Sequence, residues 1–161
     1  MKPTLILLLG LLAAGCGGDV ALSGGGDDDT QAPPTTDLEF CVSETNRYRA
    51  MIGRPPLQHS TVLEEFATEG ARADTLSGEA HGHFGSQGMP LTAFAENECP
   101  SFLGWTLEGN VHDTIAKCLE AFFKEGKGGG HYENMMGDHE GCGCGVYLSG
   151  DDQITITQDF R

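Results

Sequence analysis

The sequence predicts an α+β domain in which helices come first along the chain and an antiparallel hairpin comes last. Three segments of helical length between about residues 37 and 124 carry apolar residues at helical spacing. Two short segments near the C-terminus alternate apolar and polar residues, as strands do, and a turn containing glycine and aspartate joins them. Segment 38–161 has the length of one domain with one core. No internal repeat is visible in it.

The first predicted helix begins at the start of this segment. Thr36 or Asp37 can cap it, and the apolar spacing continues to about Met51. Pro55 and Pro56 follow soon after. Because proline cannot continue a helix, the chain must turn there.

Two further helices are predicted by the same criteria. One begins near Ser60 or Thr61 and runs to about Leu76, and the other spans 111–124 with an acidic residue in its first turn. Their predicted inward positions are apolar or small: Leu63, Phe66, Ala67, Gly70 and Ala71 in one, and Ile115, Cys118, Leu119, Phe122 and Phe123 in the other.

The remaining segments are predicted as loop or strand. The region 78–100 is rich in glycine, histidine and proline and is predicted to be mostly loop. Segments 142–149 and 153–160 are predicted to be strands of a hairpin. Ile154 and Ile156 should face one side of the second strand, and the threonines between them the other.

The N-terminus has the layout of an export signal. A lysine at position 2 precedes the apolar run 5–12, and small residues lead to Cys16. The run is too short to cross a bilayer as a helix. The layout resembles a bacterial lipoprotein signal, which would make 1–15 a signal peptide and Cys16 the lipidated first residue. Segment 16–37, rich in Gly, Asp, Pro and Thr, is then a flexible tether.

Net charge and composition exclude some partners. The chain carries a formal charge of −15 and has no basic patch, so nucleic acid is not an expected partner. The same charge disfavours electrostatic binding to anionic lipid, so any membrane attachment should come from the acyl chains. Gly17 lacks the aspartate that retains many lipoproteins in an inner membrane, which favours the outer membrane or cell surface of a bacterium. Secretion without an anchor is the alternative.

The cysteine count predicts disulfides and one leftover thiol. Without Cys16 five cysteines remain, and an exported protein favours disulfides. A metal-binding Cys-x-Cys at 142 and 144 is disfavoured because no second pair has zinc spacing. Cys99–Cys118 is one possible bridge, and spacing leaves the connectivity open. The five are Cys41, Cys99, Cys118, Cys142 and Cys144.

Segment 128–148 concentrates histidine, acidic residues, cysteine and glycine just before a predicted strand. Histidine is the commonest metal ligand, and glycine allows sharp turns or close approach to a ligand. The segment therefore predicts a site or a strained turn. His59, His112 and His139 lie elsewhere in loops or in a first helical turn and are expected to be ordinary solvated residues.

Four motifs, in order along the chain, resemble the CAP superfamily, which includes cysteine-rich secretory proteins, antigen 5 and plant pathogenesis-related 1 proteins. The fold expected for this family is a three-layer α-β-α sandwich with an antiparallel sheet flanked by helices. The resemblance covers essentially all of 38–161. The motifs are Asn46-x-x-Arg49 with Gly53 and Leu57, Ala95-Glu96-Asn97, Phe122-x-x-Glu125 in place of W-x-x-E, and Gly130-His131-Tyr132-x-Asn134 with Gly141-Cys142-Gly143.

This resemblance implies a cavity with two histidines and two glutamates. His131, Glu96 and Glu125 occupy three of these positions, and the fourth is His81, with His83 as the alternative. Two imidazoles can hold zinc or another divalent ion in an open site, and carboxylates can orient the ligands or a bound water. Asn97 and Tyr132 are expected beside this cavity.

The function expected from these features is binding rather than catalysis. We expect a lipid-anchored extracytoplasmic domain whose cleft binds a divalent metal and a small apolar or peptide ligand or an envelope partner. One alternative is a metal-dependent hydrolase in which Glu96 or Glu125 activates a zinc-bound water. No nucleophile motif is recognisable. The other alternative is an inert interaction module, since fold alone does not give function.

Overall fold

The computed structural model describes residues 36–88, 92–150 and 152–161, and it contains the predicted helices. Helix α1 spans Asp37–Met51, and Thr36 caps it through a reciprocal pair of hydrogen bonds with Glu39. The predicted signal peptide 1–15, Cys16 and most of the predicted tether lie outside the described residues. No helix among those described is both long and apolar enough to cross a membrane.

The other two predicted helices are also confirmed. Helix α2 spans Thr61–Ser77, with the hydroxyl of Ser60 accepting from the backbone of Leu63, and it ends at Gly78, whose φ is 71°. Helix α3 spans Val111–Lys124, and Asn110 caps it by accepting from the backbone N–H of Asp113. Local capping side chains therefore determine where each helix begins.

Within the described residues the sheet has four strands, and it is mixed rather than purely antiparallel. The strands are β1 (Gln58–His59), β2 (Ala95–Cys99), β3 (Gly141–Ser149) and β4 (Gln153–Phe160), in the spatial order β1-β3-β4-β2. The predicted hairpin is confirmed as β3 and β4, and β2 pairs antiparallel with β4. The expectation of an antiparallel sheet was wrong for β1, which runs parallel to β3.

Helices cover both faces of this sheet, as the three-layer expectation requires. Helix α2 packs on one face, against β3 and β4. Helices α1, α3 and a short helix α4 (Gly130–Met136) lie on the other face. Helix α4 occupies the glycine- and histidine-rich segment. The sequence predicted a site or a strained turn there, and this helix was not anticipated.

Glycines of β3 allow α2 to lie directly on the sheet. A Cβ at Gly143 would lie 2.2 Å from the backbone nitrogen of Glu64, and one at Gly145 would lie 2.1 Å from the backbone carbon of Ala67. Both clashes involve helical backbone, which cannot move as a side chain can. These two glycines therefore serve helix packing, whereas the sequence suggested turns or approach to a ligand.

Both faces of β4 are buried. Its side chains alternate between the two faces as predicted, so neighbouring residues contact different helices. Gln158 donates to the hydroxyl of Thr45 in α1, while Thr157 donates to the carbonyl of Ala67 in α2. The polar side of the strand is thus covered by a helix, and hydrogen bonds satisfy its threonines.

Two disulfides join helices to the sheet. Cys41 of α1 pairs with Cys144 of β3, and Cys99 of β2 pairs with Cys118 of α3, which confirms the one bridge that the sequence suggested. Among the described cysteines Cys142 is the one without a disulfide, and burial raises its pKa, so the thiolate needed for reaction is disfavoured. With Cys144 in a disulfide, a Cys-x-Cys metal site is excluded.

The first family motif is structural. Arg49 is fully buried in α1 and donates to the carbonyls of Pro55, Met135 and Gly137 at 2.9, 2.7 and 3.0 Å. These bonds connect α1 to the end of α4 and to the proline-rich turn. Asn46 exchanges two hydrogen bonds with the backbone of Leu57 and closes the same turn.

Candidate functional site

The acidic residues of β2 lie on the face of the sheet that α2 covers. Side chains alternate along a strand, so Glu96 and Glu98 share one face and Asn97 faces the other. Glu96 is directly opposite Asp159, and Glu98 is opposite Thr157, whose hydroxyl bonds to α2. The sequence predicted this region as loop, and the strand explains why two glutamates two residues apart meet in one place.

His81 is held against both glutamates in a strained conformation. Its φ is 60°, a left-handed value that few residues other than glycine adopt, although asparagine, aspartate and histidine adopt it more often than most. Its backbone N–H donates to Oε2 of Glu98 at 2.9 Å, and its Nδ1 lies 2.8 Å from Oε1 of Glu96. Strain of this kind persists where surrounding contacts impose it, and it is common at functional sites.

The protonation of this pair is set by burial and by the hydrogen bond between its members. The Glu96 side chain is 0% exposed and that of His81 is 42% exposed. The hydrogen bond to Glu96 raises the pKa of His81, while burial raises the pKa of Glu96. Burial also raises the pKa of Glu98 to about 7. For both glutamates, the cost of burying the charged form therefore exceeds what the bonds from His81 offset.

Each glutamate has one oxygen free to bind something else. Oε2 of Glu96 and Oε1 of Glu98 are buried and have no hydrogen-bond partner. Ligand atoms of His81, Glu96 and Glu98 all lie within 4.8 Å of one another, so these three residues could hold a metal ion. Buried polar atoms are normally hydrogen-bonded, whereas these two oxygens lack a partner. Together with the imidazole of His81 they form a set of ligand atoms that suits a divalent cation.

Two more carboxylates surround this group. Asp159 is wholly buried, and neither of its oxygens has a hydrogen-bond partner. Burial first, and then the negative charge of Glu96, raise its pKa, because Asp159 and Glu96 can bond to each other only when one of them carries a proton. Asp74 of α2 accepts from the backbone N–H of His83 at 2.7 Å and keeps its second oxygen unpartnered.

His83, the alternative to His81, lies on the same side of β2. It is 8% exposed, its ring packs 4.5 Å from that of Phe66, and its Nδ1 has no partner. A Cβ at Gly70 of α2 would lie 3.3 Å from this nitrogen and 3.7 Å from Oε2 of Glu96. Gly70 thus leaves both atoms facing the same space, although the bond to Glu96 is made by His81.

His131 and Glu125 form a second pair at the start of α4. Nδ1 of His131 lies 2.5 Å from Oε1 of Glu125, and its backbone N–H donates to Oε2 at 3.1 Å. Burial raises the pKa of Glu125, but the bonds from His131 outweigh it and lower that pKa overall. The ring of Phe122 stacks on His131 at 4.5 Å, so phenylalanine provides the aromatic packing expected of the tryptophan in this motif.

Two asparagines connect this pair to the strand that carries Glu96. Asn97 donates to the carbonyl of His131 at 3.1 Å, and Asn134 donates to the carbonyl of Glu96 at 3.0 Å and to the side-chain oxygen of Asn97. Tyr132 is partly buried beside Phe123. Asn97 therefore acts as a tether between α4 and β2 and points away from the face that holds Glu96.

The predicted cavity residues form two separate His–Glu pairs. His81 bonds to Glu96 on the α2 side of β2, and His131 bonds to Glu125 beside α4. Among the described residues, His131 does not belong to the group of close ligand atoms. Sequence reasoning missed Glu98, Asp159 and Asp74. Only a correct prediction of β2 and of its register with β4 could have found the first two.

The remaining histidines have ordinary surroundings. His59 lies 2.6 Å from a carboxylate oxygen of Glu64, His112 stacks on Phe40, and His139 stacks on Phe160. Each is at least partly exposed and none belongs to the metal-ligand group, so nothing in their surroundings suggests a ligand role.

Helices enclose a mixed sheet, and two histidine–glutamate pairs lie beside its edge strand β2. These features agree with the family that the sequence motifs suggested. A family model described as "CAP: Cysteine-rich secretory protein family" matches residues 42–160, and the chain belongs to this family. No curated protein matches the chain at a significant level.

The fold also resembles a solved structure, that of an outer surface protein from Borrelia burgdorferi. The TM-score is 0.54 at 14% identity, and the match covers 80% of this chain and 94% of the other. At this identity the likeness shows a shared fold.

Proposed function

We propose that this chain is an extracytoplasmic CAP-domain protein that binds a divalent cation beside His81. The observation that carries the proposal is the group formed by His81, Glu96 and Glu98, whose ligand atoms lie within 4.8 Å of one another. Two oxygens of this group are buried without a partner. A cation would supply the missing interactions of both glutamates at once.

The conformation of His81 supports this role. Its exposed imidazole sits above buried carboxylates, an arrangement that leaves an approach from solvent and places oxygen donors beneath it. The N–H of His81 bonds to Glu98, so the same glutamate that could bind the cation also holds the backbone turn. Such supporting contacts orient the ligands of metal sites.

The second pair is proposed to form the opposite wall of the cleft. His131 and Glu125 are about one-third exposed, at 34% and 33%, and Asn97 and Asn134 hold their helix against β2. They are therefore available to a ligand that approaches the edge of the sheet. In this proposal His131 contacts that ligand.

Calorimetric titration of the full chain with zinc tests the cation proposal. We expect one-site binding in the wild type and its loss in His81→Asn, because asparagine tolerates the left-handed backbone but lacks the imidazole. His112→Asn is the matched control, since His112 is half-exposed, lies beside Asp37 and does not belong to the group of close ligand atoms, and it should bind like the wild type. Absence of binding in a folded wild type would refute the proposal.

The proposal includes a lipid anchor at Cys16. The support is the layout of residues 1–16, and the likeness to an outer surface protein is compatible with an exposed location. We expect the mature chain made in a bacterium to partition into detergent and to incorporate labelled fatty acid. Cys16→Ala should do neither, while Cys142→Ala should behave like the wild type. Labelling of the Cys16→Ala chain would contradict the anchor.

A further inference from the structure

A polar cavity of about 300 Å³ lies at the C-terminal end of α2, and residues of α2 and of segment 79–87 line it. The group of His81, Glu96 and Glu98 contributes no residue to this lining. Its wall contains carboxylates, serine hydroxyls, an amide and the imidazole of His83, and among the described residues that line it there is no lysine or arginine. We call it the Asp74 cavity.

Asp74 forms the buried wall of this cavity. The residue is 1% exposed, and its Oδ1 accepts the backbone N–H of His83 at 2.7 Å. Its Oδ2 is buried and has no hydrogen-bond partner. Buried carboxylate oxygens normally have a partner, because burying a charged oxygen without one is costly. The Asp74 cavity therefore contains an acceptor that the protein itself does not satisfy.

Glu79 supplies a second carboxylate at the exposed rim of the cavity. A Cβ at Gly82 would lie 3.2 Å from Oδ1 of Asp74 and 3.5 Å from Cβ and Cγ of Glu79, so the two acids flank this glycine. Because Gly82 has no side chain, the space between them stays open. None of the ion pairs among the described residues includes Asp74 or Glu79.

We infer that the Asp74 cavity binds a primary alkylammonium group, such as that of a polyamine or of a lysine side chain. An ammonium group has three N–H donors at the end of an aliphatic stem. The carboxylates of Asp74 and Glu79 can accept from it. The hydroxyl of Ser86 donates to the carbonyl of His83 and so keeps lone pairs with which to accept as well.

The cavity suits an organic cation better than a metal ion. Among the described residues, the group of close metal-ligand atoms includes neither Asp74 nor Glu79, so the cavity lacks the compact ligand set that a metal needs. Its volume of about 300 Å³ is at the lower end of small-molecule pockets and has room for a short aliphatic stem. The inference does not depend on a cation beside His81.

Titration of the full chain with two amines, followed by two-dimensional amide NMR, tests the inference. The probes are the diamine putrescine and a capped tripeptide whose central residue is lysine. We expect saturable shifts of the backbone amides of Gly82, His83 and Ser86 with at least one probe. Saturation by the peptide alone assigns the site to a protein partner, and saturation by putrescine alone assigns it to a free amine. The same peptide acetylated on its lysine nitrogen should bind about tenfold more weakly or less.

Two variants test the residues that carry the inference. Asp74→Asn keeps an oxygen for the N–H of His83 but replaces the unpartnered oxygen by an amide N–H₂ group, so we expect amine affinity to fall about tenfold or more. Gly82→Ala keeps both carboxylates and narrows the space between them, so it should weaken binding without a change of charge. The rest of the amide spectrum reports whether each variant is folded.

Glu65→Gln is the matched control, because Glu65 is an exposed acid on the same helix and lines a different cavity. Its amine affinity should stay within about twofold of the wild type. An equal loss in Glu65→Gln and Asp74→Asn would overturn the inference, since overall charge would then hold the amine. Unchanged affinity of Asp74→Asn, equal binding of the acetylated peptide, or no saturable shift at the cavity with either amine would also overturn it.

Discussion

Gly145→Ala is expected to weaken the packing of α2 on the sheet and to destabilise the native fold strongly. The added Cβ would lie 2.1 Å from the backbone carbon of Ala67 and 2.2 Å from the backbone nitrogen of Thr68. Because both contacts are helical backbone, α2 would have to lift from the sheet, and the change should exceed the 1 to 3 kcal/mol that is typical of overpacked cores, at about 4 kcal/mol or more. Urea unfolding of the full chain, followed by near-ultraviolet circular dichroism, measures the loss.

Gly141→Ala is the control for this experiment. It introduces the same methyl group into the same strand, where the nearest atom would be 3.5 Å away, an ordinary contact. We expect its free energy of unfolding to change by less than about 1 kcal/mol. If the two variants were equally stable, the close packing of α2 on β3 would not be a feature of the protein in solution.

Removing the disulfide between Cys41 and Cys144 is expected to cost a similarly large amount of stability. This bridge closes a loop with a sequence separation of 103, whereas the bridge between Cys99 and Cys118 spans 19. Chain-entropy reasoning gives about 4.7 kcal/mol for a loop of about 100 residues and about 3 kcal/mol for one of about 15. The loss is a large share of a typical domain's stability of about 5 to 15 kcal/mol.

The comparison uses two double variants, Cys41→Ala with Cys144→Ala and Cys99→Ala with Cys118→Ala. Double variants are needed because a single change would leave a free thiol, which could attack the remaining disulfide and exchange with it. We expect the first double variant to unfold at the lower urea concentration. Equal stability of the two variants would show that loop length does not govern these bridges.

The long helices could be predicted from the sequence because their signals are local. Thr36, Ser60 and Asn110 cap α1, α2 and α3 with side chains that lie next to the helices they begin. The hairpin of β3 and β4 could be predicted for the same reason, since alternation and the turn between the strands are both short-range features.

The short elements could not be predicted, because distant contacts stabilise them. Strand β2 consists of Ala, Glu, Asn, Glu and Cys, residues that do not favour a strand, and its pairing with β4 and its bridge to α3 supply the stability. Helix α4 has seven residues and begins without a side-chain cap. Asn97, Asn134 and the buried Arg49 attach it to the rest of the domain.

The same difference applies to the candidate site. The family resemblance led us to expect His81, or His83 in its place, in one cavity with Glu96, and the structure places His81 in contact with Glu96. The positions of Glu98 and Asp159 depend on which residues of β2 and β4 lie opposite each other. Sequence spacing carries no information on that register until both strands are known.

The location of a bound metal ion tests the central claim most directly. A crystal structure of the full chain with zinc, with anomalous data collected at the zinc edge, would show where the ion binds. We expect one strong peak at about 2.0 to 2.2 Å from the imidazole of His81 and from oxygens of Glu96 and Glu98. A peak only beside His131 and Glu125, or no peak in the cleft at all, would contradict it.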